Sequence, residues 1–176
     1  MRLFLIGFMS SGKSTVGRQL ARKLNMEFID IDNAFEEKYK ISISDFFEKF
    51  GENKFRELER NILIEIIKID NAIISTGGGT PCFYDNMQLI NRNGISIYLK
   101  LHPNSIFDRL KNTKKQRPLI NKLSEIELKE FIIKQLAIRE IIYSQANIII
   151  KAENLKINNF YDELKKTAEN QNFKFP

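Results

Sequence analysis

Gly7-Phe8-Met9-Ser10-Ser11-Gly12-Lys13-Ser14 fits the pattern G-x-x-x-x-G-K-[ST], and its flanks give that pattern meaning. Before it, Leu3-Phe4-Leu5-Ile6 is a short unbroken apolar run, as expected of a strand covered on both faces of a parallel sheet. After it, Val16, Leu20 and Leu24 recur at helical spacing from Lys13 onward. A strand, a glycine turn and the start of a helix form a phosphate cradle. The glycines let the backbone turn tightly, so that successive N–H groups point at phosphate oxygens, and the helix N-terminus adds positive potential. In such a P-loop, Lys13 neutralises the β/γ-phosphates of a nucleotide and the Ser14 hydroxyl coordinates Mg²⁺.

Outward from the loop, apolar runs alternate with helix-period stretches, the mark of βαβ units and an α/β fold with a parallel sheet. Phe28-Ile29 reads as a second strand running out into Asp30-Ile31-Asp32. Ala72-Ile73-Ile74 reads as a third, closed by Thr76-Gly77-Gly78-Gly79, Ile95 to Leu99 as a fourth and Ile148 to Ile150 as a fifth. Helices broken near Gly51 are expected from Asp45 to Ile69, with others around Ile106 to Leu110, around Glu125 to Tyr143 and after residue 154. Phe46, Phe47 and Phe50 are spaced like one core-facing helix side. Lys111 to Pro118 is polar, basic and ends in proline, which predicts a mobile surface loop. There is no internal repeat and no linker, so residues 1–176 read as one domain.

Composition narrows the function. The chain has 176 residues, 43% of them apolar and 28% charged, the balance of a globular protein and not of a disordered one. One cysteine (Cys82) excludes a disulfide framework, and one histidine (His102) excludes a His-rich metal site. The net charge of +6 comes from scattered lysines with no aromatic–basic interleaving, so no nucleic-acid partner is expected. No apolar run approaches the roughly 20 residues that span a bilayer, and no membrane partner is expected. Lys13 interrupts the apolar opening too early for a signal segment, which implies a cytoplasmic protein.

The remaining acids and arginines narrow the class of P-loop protein. No Asn-Lys-x-Asp base reader is present, since Asn121-Lys122-Leu123-Ser124 lacks the aspartate. The third strand ends without an acid, and the acids stand after the second strand instead, as Asp30 and Asp32. Two apart on an extended strand, both carboxylates face one side, toward the crevice at the C-terminal sheet edge. Arg56 has Glu59 three residues on, where a helical pair would steady its fork. Arg117 lies in the basic loop and Arg139 near the end of the long helix before the fifth strand.

In this order, Gly7-Phe8-Met9-Ser10-Ser11-Gly12-Lys13-Ser14-Thr15, Phe28-Ile29-Asp30-Ile31-Asp32, Phe55-Arg56-Glu57-Leu58-Glu59, Ile73-Ile74-Ser75-Thr76-Gly77-Gly78-Gly79, Arg117-Pro118-Leu119 and Arg139-Glu140-Ile141-Ile142-Tyr143 resemble the shikimate kinase family. The correspondence runs from Met1 to about Ile150. Ser10 stands where the family usually has another glycine. The resemblance implies a three-layer P-loop kinase fold, its five parallel strands ordered 2-3-1-4-5 between helices. It also implies a substrate-binding helical segment at about 32–61, a mobile lid at about 112–122, and a monomer.

The implied activity is transfer of the ATP γ-phosphoryl group to shikimate, with Mg²⁺. Ser10, Ser11, Gly12, Lys13, Ser14 and Thr15 would hold the nucleotide, with Arg109 near the adenine. Ser14 and, through water, Asp30 would hold the metal. Asp32 would bond the acceptor hydroxyl and act with Lys13 and Arg117 in catalysis, Arg117 closing over the phosphates. Arg56 and Arg139 would clamp the acid's carboxylate, Gly78 and Gly79 would bring amides against the ring substituents, and Phe47 and Phe55 would line its apolar side. A planar guanidinium fork matches two carboxylate oxygens, which suits that choice of residue. Rival readings are a gluconate-type or nucleoside-monophosphate kinase on the same fold, and an ATP-binding protein without transfer activity.

Overall fold

Leu3, Phe4, Leu5 and Ile6 are completely buried, because the strand they form is the middle one of the sheet. The computed structural model describes residues 1–112, 120, 123–153, 155–171, 173 and 175. Its strands are β1 (Arg2–Ile6), β2 (Glu27–Asp30), β3 (Ala72–Ser75), β4 (Ile95–Lys100) and β5 (Ile148–Lys151). They form one sheet in the order β2-β3-β1-β4-β5, the expected order. All neighbours are parallel; Leu3 lies between Ile73 of β3 and Ile95 of β4, and Asp30 of β2 is level with Ser75 of β3.

The helices are α1 (Lys13–Leu24), α2 (Ile31–Tyr39), α3 (Ile43–Ile66), α4 (Asn86–Asn93), α5 (Pro103–Lys111), α6 (Glu125–Tyr143) and α7 (Ile157–Asn170). A parallel strand must cross over before pairing again, and these helices supply the crossovers and cover the sheet. Gly12 caps α1 in the left-handed region (φ 96°), with no side-chain cap on the helix. The first-turn amides of α1 therefore face the groove above the sheet. The break expected near Gly51 is a kink inside α3, where Gly51 has φ 77° and ψ 170°. Ser124 and Glu127 close a capping box at the start of α6, which fixes where that helix begins.

Two expectations need correction, and two elements are additional. The second strand does not run on through Asp32: β2 stops at Asp30, whose side chain caps α2, so Asp32 sits in the first helical turn. Asp30 and Asp32 thus come together through a strand-to-helix junction, not through strand alternation. Phe46 is buried, but Phe50 is 49% exposed, so the phenylalanine row is not uniformly core. Finally, α4 and the short 3-10 turn at Thr80–Cys82 were not anticipated; α4 buries only Asn86, Met87 and Ile90, too few residues to set a period. The expected lid, apart from Asn112 and Ile120, lies outside the described residues.

Candidate active site

The ends of β1, β2 and β3 point the same way in a parallel sheet, so the loops that leave them meet above its C-terminal edge. The loop after β1 is the phosphate cradle. Lys13 is buried, and its ammonium donates to the carbonyls of Gly7 and Phe8, both at 2.9 Å, which holds the charge in the mouth of the loop. Ser10 takes a left-handed conformation (φ 61°), one glycine adopts freely. The serine is accommodated there at some cost in strain. Ser14 Oγ donates to Asp30 Oδ2 at 2.6 Å and lies 3.3 Å from Ser75 Oγ. The other oxygen of Asp30 accepts the amides of Asp32 (3.1 Å) and Asn33 (3.4 Å). One carboxylate therefore both caps α2 and faces the cradle's hydroxyl.

Three cavities adjoin along this edge. The central one is lined by Ser10, Gly12, Lys13, Ser14, Asp30 and Asp32. A second shares Ser10, Gly12 and Thr15 with it and runs to Ser11, Arg109, Ala152 and Leu155. There Arg109 donates to the carbonyls of Ser11 (3.2 Å), Ser10 (3.4 Å) and Ala152 (3.1 Å), tying the cradle to the end of β5. The third shares Met9, Asp32 and Gly78 with the central one, and Phe47, Phe55, Arg56, Gly79 and Arg139 line the rest of it.

In that third cavity both arginines are nearly buried, Arg56 at 6% and Arg139 at 7% exposure. Arg56 donates to Glu59 at 2.8 Å, the expected helical pair, and to Glu52 through Nε (3.2 Å) and Nη2 (2.9 Å). The Phe83 ring lies 4.3 Å from its guanidinium carbon. Glu59 is 1% exposed and also accepts from Thr80 Oγ1 at 2.6 Å. Burial opposes charge on both partners. It pushes the Glu59 carboxyl above the usual carboxylate range, against the pull of Arg56 and Thr80. In Arg56, Glu59 and Glu52 outweigh burial and raise the pKa, so the guanidinium stays charged.

The triple glycine is used differently from what its sequence suggests. A Cβ on Gly77 would stand 2.8 Å from Asp32 Oδ1, Glu59 Oε1 and Thr80 Oγ1 alike, and one on Gly79 would stand 2.5 Å from Arg56 Nη2. The glycines make room for the protein's own acids and arginine, as well as exposing backbone to the third cavity. Sequence reasoning missed Met9, Thr80 and Phe83. None carries a local signal: each is defined by contacts with distant segments.

The structure thus brings together every candidate residue it describes: Ser10 to Thr15, Asp30, Asp32, Phe47, Phe55, Arg56, Gly78, Gly79, Arg109 and Arg139. Arg117 lies outside the described residues. A triphosphate cradle joined through a shared carboxylate to a cavity walled by two arginines defines the class: a P-loop kinase that acts on a small acceptor.

Comparison with known proteins narrows the class. A family model described as "Shikimate kinase" matches residues 9–169. The shikimate kinase of Azobacteroides pseudotrichonymphae is 47% identical over 164 residues, covering 93% of this chain and 96% of that one. The crystal structure of the Bacteroides thetaiotaomicron shikimate kinase superposes with a TM-score of 0.88 at 41% identity, covering 98% of this chain and 99% of that one. That of the Acinetobacter baumannii shikimate kinase in complex with shikimate gives 0.89 at 29% identity, covering 98% and 95%. The chain belongs to the shikimate kinase family and is an ATP-dependent kinase. Among the described residues, no helix is long and apolar enough to cross a membrane.

Proposed function

We propose that this kinase transfers the γ-phosphoryl group of ATP to the 3-hydroxyl of shikimate, giving shikimate 3-phosphate and ADP on the route to chorismate and the aromatic amino acids. The observation that carries this reading is that Asp32 and Gly78 line both the phosphate cavity and the cavity walled by Arg56 and Arg139. An acid whose carboxylate is clamped by the two arginines can thus present a hydroxyl beside Asp32, next to the end of the triphosphate.

Phosphoryl transfer through a loose transition state depends mostly on alignment and charge neutralisation. The first-turn amides of α1 and Lys13 hold the phosphates. Asp32 orients the hydroxyl and takes its proton late in the transfer. Ser14 offers a hard hydroxyl oxygen 2.6 Å from the Asp30 carboxylate, a set that would fit Mg²⁺ held directly by Ser14 and through water by Asp30, with phosphate filling further positions. Bound there, the ion would neutralise phosphate charge. Arg117 is assigned to the phosphates on the strength of the family resemblance, and Arg109, with Ala152 and Leu155, to the nucleoside end.

The test is ADP release from MgATP by a coupled assay, with shikimate, gluconate and nucleoside monophosphates offered in turn. Release dependent on shikimate alone is expected. Release with gluconate or a monophosphate instead would reassign the acceptor, and ATP binding with no acid-dependent release would remove transfer activity altogether.

A further inference from the structure

The carbonyls of the three glycines at 77–79 are each held. Thr80 N–H donates to Gly77 O at 3.3 Å, and Cys82 N–H donates to Gly79 O at 2.8 Å. Both are local backbone bonds of the 3-10 turn. The middle carbonyl, Gly78 O, is held from far away in sequence, by the hydroxyl of Tyr143 at the end of α6. Tyr143 is completely buried, and its ring packs on Tyr98 with centroids 5.1 Å apart. Burial, reinforced by Cys82 and opposed by Arg139, whose guanidinium also hydrogen-bonds the hydroxyl, pushes the phenol's pKa upward, so the hydroxyl remains a donor at any working pH. Arg139 stands one helical turn before Tyr143 on the same helix face.

The carbonyl and amide of a trans peptide point in opposite directions. The Gly78–Gly79 peptide has no side chain to steady it, and glycine backbone is otherwise the freest to rotate. We infer that Tyr143 is a positioning residue for acceptor binding: by holding Gly78 O it fixes the peptide plane so that the Gly79 N–H is presented to the acceptor. The inference rests on the proposed transfer to shikimate, with Gly78 and Gly79 lining the acceptor cavity. Helix α6 then sets two groups from one face, the Arg139 fork and, through Tyr143, the glycine-loop amide. Their separation is fixed by helix geometry and not by loop conformation.

The test compares Tyr143→Phe with Tyr98→Phe in the full chain, by steady-state kinetics and thermal melting. Tyr98, a buried tyrosine whose ring packs on that of Tyr143, loses a hydroxyl that donates to Glu140 (2.5 Å) and not to the glycine loop. Tyr143→Phe is expected to raise KM for shikimate about tenfold, the worth of one ordinary hydrogen bond, with kcat and KM for MgATP within about twofold of wild type. Tyr98→Phe is expected to lower the melting temperature without moving KM for shikimate. An unchanged KM for shikimate in folded Tyr143→Phe, an equal rise in both variants, or a raised KM with the shikimate-induced shift of the Gly79 amide resonance left as in wild type, overturns the positioning role. If Tyr143→Phe does not fold, the wild type supplies the test: shikimate alone should shift the Gly79 amide resonance and slow its exchange. An unaffected Gly79 amide at saturating shikimate overturns the inference. Failure of the underlying reading looks different, because wild type would then release no ADP in response to shikimate.

Discussion

Asp32 is the residue on which the chemistry turns. It lines both the phosphate and the acceptor cavity, and the first turn of α2 holds it beside the Asp30 cap. Asparagine keeps the shape and loses the charge and the basicity. Asp32→Asn is therefore expected to lower kcat by about two orders of magnitude, with KM for MgATP nearly unchanged; wild-type turnover in a coupled assay would remove Asp32 from the reaction. Cys82 illustrates the opposite case, a reactive residue type made inert by its surroundings. Burial, opposed by the positive charges of Arg139 and Arg56, pushes its thiol pKa up to about 11. Only the thiolate attacks disulfides, so a raised pKa lowers reactivity at neutral pH and moves its rise to higher pH. At pH 8 the native thiol should react with an aromatic disulfide reagent about a hundredfold more slowly than an ordinary thiol, with the rate still climbing at pH 10. A rate that levels off near pH 9 would contradict the burial argument.

At the scale of elements, what could be read from sequence was local in origin. The β1–loop–α1 unit is contiguous, and its signals (an apolar run, two glycines, a lysine, a helical period) all fall within residues 3–24. The kink in α3 was legible for the same reason, since a lone glycine interrupts a helical pattern. Gly51 has φ 77°, and a Cβ there would meet nothing within 4 Å. Gly51→Ala should then cost only the strain of a backbone conformation that glycine alone adopts readily, about 1–3 kcal/mol by chemical denaturation; no loss would mean that the kink is not at Gly51 in solution. The junction of β2 and α2 was misread because Asp30 is both a strand residue and a cap, and only the cap's hydrogen bonds decide between them. Likewise the partnerships of Glu59 with Thr80 and of Tyr143 with Gly78 join segments 21 and 65 residues apart. Spacing alone could pair Glu59 with Arg56, three residues away, but could not pair Glu59 with Thr80 or Tyr143 with Gly78.

At the scale of the molecule, the sheet order places β1 between β3 and β4, so the phosphate cradle sits centrally, with the β2 and β3 loops on one side and the end of β5 on the other. The three cavities follow from that order: nucleoside end toward Arg109 and Ala152, phosphates at the cradle, acceptor toward Arg56 and Arg139. One groove thus holds both substrates end to end. The decisive measurement is a crystal structure with ADP and shikimate bound. The acid's carboxylate is expected on Arg56 and Arg139, with its 3-hydroxyl at Asp32 facing the nucleotide. A carboxylate bound away from both arginines, or a ring turned so that its 3-hydroxyl points away from the β-phosphate, would contradict this arrangement.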